Sequence, residues 1–328
     1  MTRRDTKIDV ARVLADGKFH SGEELGAMFG VSRAAIASHI KTLSKLGLDI
    51  YSVSGKGYKL AKNLELLDAK TITPHLDDPK LVELHTIIDS TNEYLLQLIR
   101  SKESIPSGHT VVAECQTAGR GRRGRQWQSP FGSHIYLSQY RTMEDGLAAA
   151  AGLSLAIGLA VKNACEHFVA EEIELKWPND VLCQGRKLAG VLIEAEGQSD
   201  GTCHLIIGIG INVDMPADIA DKIDQPWVDL NQLTERPLNR NKFLVVLLRE
   251  LESLYSEFQQ NRLNCLVETW NKSNAFSQKA VDLISSNSIK TGKCLGIDSS
   301  GALLLEDMIT GEVQKIYGGE VSLRQSET

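Results

Sequence analysis

The spacing of apolar residues changes along the chain and predicts three successive regions. Near the N-terminus the spacing is helical, and Ile36, Ile40 and Leu43 fall on one face of a helix. A glycine-centred hairpin follows. The predicted elements of this region are helices over 6–16, 23–29 and 33–45, and strands over 49–53 and 58–60. Two short helices joined by a turn at Gly30, with a hairpin behind them, predict a winged helix-turn-helix.

The middle region mixes short apolar runs with helical spacing and predicts an α/β (α+β) domain with a mixed sheet. Its predicted strands are 85–88, 110–114, 134–138, 191–194 and 206–211, with a further strand ending near 176. Its predicted helices follow Ser90 and cover 147–161, 239–260 and 265–271. The run 147–161 is too short for a membrane span of about 20 residues, so we expect a buried core helix.

From about residue 276 the pattern becomes short strands separated by glycine turns, which predicts a small β-barrel. These strands are 280–284, 292–297, 302–305, 313–316 and 321–323. The expected domains are therefore 1–63, 64–275 and 276–328. Whether the last domain is a passive cover for the core or contributes to a site is left open by the pattern.

Charge and cysteine content narrow the possible functions. Residues 1–63 contain eleven Lys and Arg against six Asp and Glu, whereas the rest of the chain contains 25 against 36. A basic unit attached to an acidic body indicates nucleic-acid contact at one end. Six cysteines occur without a Cys-x-x-Cys pair, which argues against a zinc site or a disulfide scaffold. With no apolar signal core at the N-terminus, we expect a cytoplasmic protein without membrane contact.

The third helix of the N-terminal unit is the expected DNA-reading element. Ser32 caps it, Arg33, Ser38 and His39 lie off its core face, and Lys56 lies in the wing. These types of side chain contact base edges and phosphates. A solvated basic face used for protein contacts is the alternative interpretation. Reading a palindromic site would require a dimer.

The most distinctive segment is Gly119-Arg-Gly-Arg-Arg-Gly-Arg-Gln-Trp127, which we call the glycine–arginine loop. Glycine lets a backbone approach a ligand closely, and arginine presents donors that suit phosphate and carboxylate. A long connection between two strands is usually functional or disordered. The segment therefore predicts an anion-binding lid. The alternatives are a flexible basic surface loop and a nucleic-acid-binding tract, and the absence of interleaved aromatic residues argues against the second.

Other candidate positions follow the strands. Ser90, Thr91 and Asn92 open a helix, whose free N–H groups favour a polar or anionic ligand. Lys176-Trp-Pro-Asn179-Asp180 places a cation, an amide and a carboxylate together, and Asp180 is a candidate Mg²⁺ ligand. The alternative for the first segment is a simple helix cap, and the alternative for the second is a β-turn. Lys187 begins a strand, and Gly208 and Gly210 form either a floor for a flat ring or a contact with a helix.

These motifs, together with Lys187-Leu-Ala-Gly190 and Gly208-Ile-Gly-Ile-Asn212, resemble the biotin protein ligases in order and spacing. The winged helix in front resembles the bifunctional form that is also the biotin-operon repressor, and the C-terminal region resembles its SH3-like domain. The resemblance covers essentially the whole chain. Lipoate ligases share the fold but lack the Arg-Gly-Arg-Arg-Gly sequence.

The resemblance implies a reaction and a set of roles. Biotin and Mg-ATP would form biotinyl-5′-adenylate, and a lysine of the biotin carboxyl carrier domain of acetyl-CoA carboxylase would then accept biotin. Arg122, Lys176 and Lys187 would be catalytic. The expected biotin-binding residues are Ser90, Thr91, Asn92, Gln116, Arg120, Gly121, Arg122 and Lys187. The expected ATP-binding residues are Arg122, Arg125, Lys176, Asn179, Asn212, Trp227 and Arg324.

The resemblance also implies that adenylate binding orders the glycine–arginine loop and promotes a homodimer that binds operator DNA. Two other functions stay open at this point. One is a ligand-sensing regulator without ligase activity, and the other is a ligase for a different acid such as lipoate. Phosphate-neutralising residues at Arg122, Lys176 and Lys187 argue against a sensor of biotin alone.

Overall fold

The computed structural model describes residues 6–62, 64–197, 201–285, 288–318 and 321–326. Residue 63, the end of the predicted DNA-binding domain, lies outside these ranges. The N-terminal region has three helices and a two-stranded sheet: α1 (Thr6–Leu14), α2 (Gly22–Phe29), α3 (Arg33–Lys45), β1 (Ile50–Val53) and β2 (Gly57–Leu60). This is the predicted winged helix.

Local signals in the sequence fix the turn between α2 and α3. Ser21 and Glu24 form a capping box at the start of α2. Gly30 ends the helix with φ of +68°, a conformation that favours glycine. A Cβ on Gly26 would lie 2.6 Å from the carbonyl oxygen of Val31, so the turn requires glycine there. The cap of α3 is Ser32, whose hydroxyl accepts from the Ala35 N–H.

The central domain contains a seven-stranded mixed sheet. Its strands are β3 (Val82–His85), β4 (Thr110–Ala113), β5 (Ile135–Met143), β6 (Ile173–Lys176), β7 (Asp180–Cys183), β8 (Arg186–Gly197) and β9 (Cys203–Ile211). The order across the sheet is β3-β4-β5-β9-β8-β7-β6. Only the β3–β4 pair is parallel, and every other neighbouring pair is antiparallel.

Helices cover both faces of this sheet. The helices of the domain are α4 (Ala69–Ile72), α5 (Thr91–Arg100), α6 (Leu153–Glu166), α7 (Ala217–Ala220), α8 (Arg240–Asn261) and α9 (Val267–Lys272). One face of the sheet packs against α6 and α8 in the main hydrophobic core. The other face carries α5 over Val111, Tyr140 and Ile206. This second face is the one that becomes the functional site.

The segment Leu147–Glu166 is, in the described part of the chain, the one helical stretch apolar and long enough to span a membrane. Half of it is buried in the protein, and α6 packs on the sheet and on α8. It is therefore a core helix, as predicted. The prediction of one continuous helix over 147–161 was wrong, because Gly152 with φ of +79° separates a 3₁₀ turn (Leu147–Ala150) from α6.

The C-terminal region is a five-stranded antiparallel sheet with the order β13-β12-β11-β10-β14. Its strands are β10 (Ala280–Ile284), β11 (Ile289–Ile297), β12 (Leu303–Glu306), β13 (Val313–Ile316) and β14 (Ser322–Gln325). It packs closely on the central domain, because the Trp177 indole N–H donates to the carbonyl of Gly301 at 3.1 Å. Residues 321–323, at the start of β14, line one cleft together with Lys176 of β6.

Two further strand predictions need correction. The strand expected at 85–88 runs instead over Val82–His85, where Val82 pairs with Thr110, and Ile88 forms only an isolated bridge with Gln116. The strand expected at 191–194 is much longer, Arg186–Gly197, because it pairs along its length with both β7 and β9. Strand β7 was not predicted.

A buried ion pair joins the central domain to the segment that follows the winged helix. Arg240, at the start of α8, contacts Glu114 at 2.6 Å, and both side chains are at most 6% exposed. Arg240 also donates to the carbonyls of Gly132, His134 and Glu65. Several partners of this kind offset the cost of burying the charge, although the Arg240 Nε has no hydrogen-bond partner among the described residues. The pair therefore fixes β4, β5 and the chain leading out of the winged helix to one another.

A second junction runs directly from the glycine–arginine loop into the winged helix. Phe131, four residues after Trp127, is 1% exposed and belongs to the hydrophobic core of the winged helix. Its backbone N–H donates to the carbonyl of Leu46, the C-cap of α3, at 2.8 Å. The end of the loop is thus attached to the end of the expected DNA-reading helix.

Candidate active site

Three glycines, Gly190, Gly208 and Gly210, leave one face of the sheet without side chains beneath the N-terminus of α5. The strand register places Ser138 opposite Gly208, and Gly210 opposite Gly190. Since side chains alternate between the faces of a strand, all four residues lie on the same face. The predicted glycine floor is therefore present, and Gly190 extends it onto β8.

The floor is occupied by two side chains rather than being open. A Cβ on Gly208 would lie 2.3 Å from the Asn92 Oδ1. A Cβ on Gly210 would lie 2.4 Å from the Trp127 indole. Asn92 and Trp127 thus fit against backbone that only glycine leaves accessible. The indole N–H of Trp127 is buried and has no hydrogen-bond partner among the described residues.

A chain of uncharged hydrogen-bonding side chains lines one end of the cleft. The Ser138 hydroxyl bonds to Asn92 Oδ1 and lies 2.6 Å from Thr91 Oγ1. The Thr91 backbone N–H donates to Gln116 Oε1 at 2.9 Å, and Gln116 Nε2 donates to Ser129 Oγ at 3.0 Å. Four of these side chains are less than 9% exposed. This end suits a neutral polar group such as an amide or a urea, because it offers donors and acceptors without net charge.

Hydrogen bonds at both ends of the glycine–arginine loop hold the loop over this neutral end of the cleft. Gln116 and Ser129, one on each side of the loop, hydrogen-bond to each other. Gly119 accepts from the Trp127 N–H, and a Cβ there would lie 2.6 Å from Ser129 Oγ. Within the loop, Arg120 Nη2 lies 2.7 Å from Glu194 Oε2. The loop is folded back on the sheet rather than extended into solvent.

The other end of the cleft is strongly cationic. Among the described residues that line the whole cleft, six are Lys or Arg and only Asp180 is acidic, and one of the six, Arg120, pairs with Glu194 at the neutral end. Lys187 Nζ contacts Asp180 Oδ1 at 2.7 Å, and Lys176 Nζ lies 3.9 Å from Oδ2 of the same carboxylate. Arg122 Nη1 donates to Asn179 Oδ1 at 2.9 Å, and Asn179 in turn donates to the carbonyl of Val191. A single carboxylate cannot neutralise this cluster, so it suits a polyanion.

Burial affects the ionisation of two of these cations. Burial lowers the pKa of Lys176, and the positive charges of Lys187, Arg324 and Arg125 lower it further, whereas Asp180 opposes the shift. Burial also lowers the pKa of Arg122. A charge held at a desolvated, like-charged position gains most from an incoming anion. This end is therefore built to interact with phosphate.

A second cleft adjoins the first at Trp127 and Lys187. It is lined by the remaining predicted nucleotide residues, Asn212, Trp227 and Arg324. The buried Asn212 amide donates to the carbonyls of Lys187 and Val228, so it holds the Trp227 segment beside β8. Trp227 is half-buried and offers a flat apolar surface next to the cationic cluster.

The structure thus brings the predicted biotin and ATP residues into two adjoining clefts. Ser90 and Gly121 lie in the first cleft with the residues already described, and Arg125 lies in both. Three contributors were missed by the sequence analysis: Ser138, Ser129 and Glu194. Ser138 and Glu194 each follow a run of apolar residues within a strand, and the first polar residue after such a run was the available signal.

The residues do not form a resident metal centre. No group of three or more His, Cys, Asp or Glu side chains comes together in the described ranges. Asp180 is already paired with Lys187. Magnesium usually binds through one or two carboxylates together with substrate phosphates. A Mg²⁺ ion would therefore enter with a nucleotide as part of the substrate.

The predicted DNA-contacting residues lie on one unit away from the clefts. Ser32, Arg33 and Ser38 are exposed along α3, His39 is half-buried, and Lys56 is exposed in the wing. Arg33 makes only a loose ion pair with Glu23, at 3.7 Å, and its side chain is 75% exposed. Lys41 and Lys45 add exposed positive charge to the same helix.

Fold and site together define a class of protein. It is a domain in which a neutral hydrogen-bonding pocket adjoins a cationic cluster, joined to a winged-helix domain of the kind that binds DNA. Comparison with known proteins identifies the class more closely. Residues 84–212 match the biotin/lipoate A/B protein ligase family, residues 7–59 match a helix-turn-helix domain family, and residues 276–324 match the biotin protein ligase C-terminal domain.

Full-length relatives support the same assignment. The chain is 43% identical over 326 residues to the bifunctional ligase/repressor BirA of Salmonella typhimurium, covering 99% of this chain and 100% of the relative. It is 43% identical to the Escherichia coli protein of the same name, over 96% of each chain. A biotin protein ligase from Aquifex aeolicus, solved with biotin and ATP, superposes with a TM-score of 0.62 at 29% identity, covering 75% of this chain and 99% of that one. The chain belongs to the biotin/lipoate protein ligase family, in its form that carries an N-terminal helix-turn-helix domain.

Proposed function

We propose that the protein activates biotin with ATP to biotinyl-5′-adenylate and transfers biotin to a lysine of the biotin carboxyl carrier domain of acetyl-CoA carboxylase. The same chain represses transcription of biotin biosynthesis genes through its winged helix. The enzyme is a biotin ligase, and the relatives named above combine ligase and repressor in one polypeptide. We assign the domains 1–63, 64–275 and 276–328 to DNA binding, catalysis and cover of the site.

One observation carries the proposal: a neutral hydrogen-bonding pocket adjoins a cationic cluster, and Lys187 of that cluster lies where the first cleft meets the second. Biotin has a neutral ureido ring at one end and a carboxylate at the other. The uncharged chain from Asn92 to Gln116 suits the ring. Lys187, which borders both clefts, suits the carboxylate and the α-phosphate that it attacks.

In the first step a biotin carboxylate oxygen attacks the α-phosphorus, and the bond to pyrophosphate breaks. Lys187 bridges the carboxylate and the α-phosphate, while Arg122, Arg125 and Lys176 neutralise the phosphates. Negative charge develops on oxygens during this displacement, so preformed cations lower its barrier. Asn212, Trp227 and Arg324 hold the adenosine part. Asp180 would hold the Mg²⁺ that accompanies ATP.

In the second step the neutral amine of the carrier lysine attacks the acyl carbon, AMP leaves with the electron pair of the broken C–O bond, and the amine nitrogen releases one proton to water as the amide forms. The nucleophile comes from the partner, so the protein needs no nucleophile of its own. Arg120, Gly121 and Arg122 of the glycine–arginine loop cover the adenylate, with Ser90, Thr91, Asn92 and Gln116 beneath. Exclusion of water protects this reactive anhydride.

Repression requires the ligand state to reach the DNA-binding unit. We propose that biotinyl-adenylate promotes a homodimer, which binds operator DNA through Ser32, Arg33, Ser38, His39 and Lys56. A ligand shifts such an equilibrium only by its differential affinity for the two states. Sedimentation with and without biotinyl-adenylate tests this, and a monomer under both conditions at micromolar concentration would refute it. All six cysteines are free thiols, which supports a cytoplasmic location.

Pyrophosphate exchange into ATP tests the ligase proposal directly. We expect exchange that depends on biotin and is absent with lipoate alone. Exchange that depends strictly on lipoate would identify a different ligase. Exchange with neither acid would identify a sensor without ligase chemistry.

A substitution on α3 tests the repressor proposal. Arg33→Ala should abolish binding to a duplex selected from random sequence by the adenylate-bound wild type, while pyrophosphate exchange stays unchanged. Arg12→Ala is the matched control, because Arg12 is 61% exposed in the same domain but lies on α1. Loss of both DNA binding and exchange in Arg33→Ala would show that the two activities are not separable.

A further inference from the structure

Glu194 lies at the edge of the site, where no substrate contact is assigned to it. It stands on the floor face of β8, opposite Ile206, one register row beyond Leu192 and Gly208. One carboxylate oxygen, Oε2, accepts from Arg120 Nη2 at 2.7 Å and from Asn92 Nδ2 at 2.7 Å. Glu194 therefore joins the glycine–arginine loop to the first turn of α5.

We propose that Glu194 is a positioning residue that holds the glycine–arginine loop closed over the site and fixes the orientation of Asn92. A carboxylate only accepts hydrogen bonds. The Asn92 amide must therefore turn its NH₂ group toward Glu194 and its oxygen toward Ser138. The Glu194 carboxylate therefore fixes both the position of the loop and the orientation of the neutral hydrogen-bonding chain.

The remaining contacts of Arg120 make Glu194 its main anchor. A carboxylate oxygen of Glu93 lies 3.5 Å from Arg120 Nη1, which is too far for a strong hydrogen bond. The Arg120 Nε is buried with no hydrogen-bond partner in the described part of the chain. Loss of the Glu194 carboxylate would leave a partly buried guanidinium with only the weaker contact, so the loop would open more often.

The same strand provides a matched control. Glu196 follows Glu194 by two residues, so it lies on the same face of β8. Its carboxylate pairs with Arg100 of α5 at 2.5 Å, whereas that of Glu194 pairs with Arg120 of the loop. Glu194→Gln and Glu196→Gln therefore make the same chemical change on the same strand, and only the first releases the loop.

Limited trypsin digestion, carried out with and without biotinyl-adenylate, tests the closure, because the ligand is itself expected to order the loop. The loop contains four arginines, so each opening exposes cleavage sites. Glu194→Gln should raise the cleavage rate within the loop about tenfold, as expected for loss of one charge-assisted hydrogen bond, while Glu196→Gln leaves it unchanged. Equal rates in wild type and Glu194→Gln, or the same increase in Glu196→Gln, would overturn the proposal.

Steady-state kinetics test the catalytic consequence, which rests on the proposed ligase function. Glu194→Gln should raise the KM for biotin about tenfold through disorder of Asn92 and the loop, and change the KM for ATP less than twofold. Arg120→Gln removes the same contact from the loop side, and the double variant should be no worse than either single variant. Additive effects would contradict a shared contact.

Two outcomes separate this inference from the proposed function. If the wild type shows no biotin-dependent exchange, the ligase assignment fails, yet the trypsin comparison still decides whether Glu194 closes the loop. If Glu194→Gln is poorly folded, Arg120→Gln carries the same test without changing a strand residue. Unchanged cleavage in a folded Arg120→Gln variant would refute the closure.

Discussion

The two ends of the active-site cleft are built on opposite principles. At the biotin end, neutral side chains from Asn92 to Ser129 already bond to one another, and most of them are buried. At the end proposed to bind phosphate, the cations Lys176, Lys187 and Arg122 lie around a single carboxylate, Asp180. One end is complete before a substrate arrives, whereas the other has an excess of charge.

The difference separates recognition from chemistry. A complete hydrogen-bond chain is already organised to select a ligand by shape and by polar pattern, at little ordering cost on binding. An unbalanced cationic cluster gains stability only when negative charge appears, which happens most strongly in the transition state. Changes at the biotin end should therefore appear in the KM for biotin, and changes at the phosphate end in the rate of adenylation.

Removal of the Lys187 charge should have the largest effect. Lys187→Met should lower the maximal rate of biotin-dependent pyrophosphate exchange about 10²- to 10³-fold, the usual loss for one transition-state donor. The ammonium is 18% exposed and pairs with Asp180, so its loss also leaves that carboxylate without its closest partner. Single-turnover formation of the adenylate is the direct measurement.

Lys162→Met is the control for this substitution. Lys162 pairs with Glu166 on α6, on the opposite side of the sheet. Its replacement by methionine should therefore leave the exchange rate unchanged. If Lys187→Met raised only the KM for biotin, Lys187 would belong to the recognition end and the division of the cleft would be wrong.

A substitution in the floor should produce the next largest effect, confined to biotin. Gly208→Ala places a methyl group 2.3 Å from Asn92 Oδ1, so Asn92 must move and the chain to Ser138 is broken. We expect the KM for biotin to rise about tenfold or more, in line with loss of a buried hydrogen bond, with little change in the KM for ATP. Isothermal titration with each substrate separates the two.

The matched control is Gly158→Ala in the middle of α6. A Cβ there meets only Leu175 Cδ2, at an ordinary contact distance of 3.5 Å. Alanine also favours a helix over glycine. Gly158→Ala should therefore retain both affinities. Weakened ATP binding in Gly208→Ala would show that the two ends of the cleft are coupled through the floor.

Local signals in the sequence were enough to predict much of this arrangement. The capping residues Ser21 and Ser32 and the turn at Gly30 located the helix-turn-helix. The glycines at 208 and 210 alternate along a strand, so their common face followed from strand geometry. These predictions depend on neighbours within a few residues, which a sequence displays directly.

Contacts between distant segments could not be predicted in the same way. Glu194 and Asn92 are 102 residues apart, and their contact depends on the register of β8 and β9 together with the placement of α5. The position of Trp127 on Gly210 likewise depends on how the loop folds back. The β3 strand was misplaced because its pairing with β4 selected Val82–His85 over the more apolar residues that follow.

The shifted ionisation of Lys176 predicts a pH effect at the phosphate end alone. Burial and neighbouring cations lower its pKa below the ordinary value of 10.5. The ammonium is the form that neutralises phosphate, so kcat/KM for ATP should fall as pH rises through this lowered pKa. Lys176→Arg should flatten this alkaline decline, because a guanidinium stays charged.

The pH profile of kcat/KM for ATP, measured from neutral to alkaline pH, checks this prediction, since that parameter reports the free enzyme. The profile for biotin binding should not change between wild type and Lys176→Arg. A decline that is identical in both proteins would assign the titration to a different group.

The smallest effect is expected at the exposed rim of the phosphate end. Arg125 lines both clefts but is exposed, so water and salt screen its charge. Arg125→Ala should raise the KM for ATP only about threefold at low salt, and the difference should shrink toward one as salt increases, as for other exposed charges. Lys80→Ala, an exposed cation beside the edge strand β3, is the control and should show no change at any salt concentration. A large and salt-independent loss in Arg125→Ala would mean that this arginine becomes buried when ATP binds, and would move it from the rim into the group of Lys187 and Arg122.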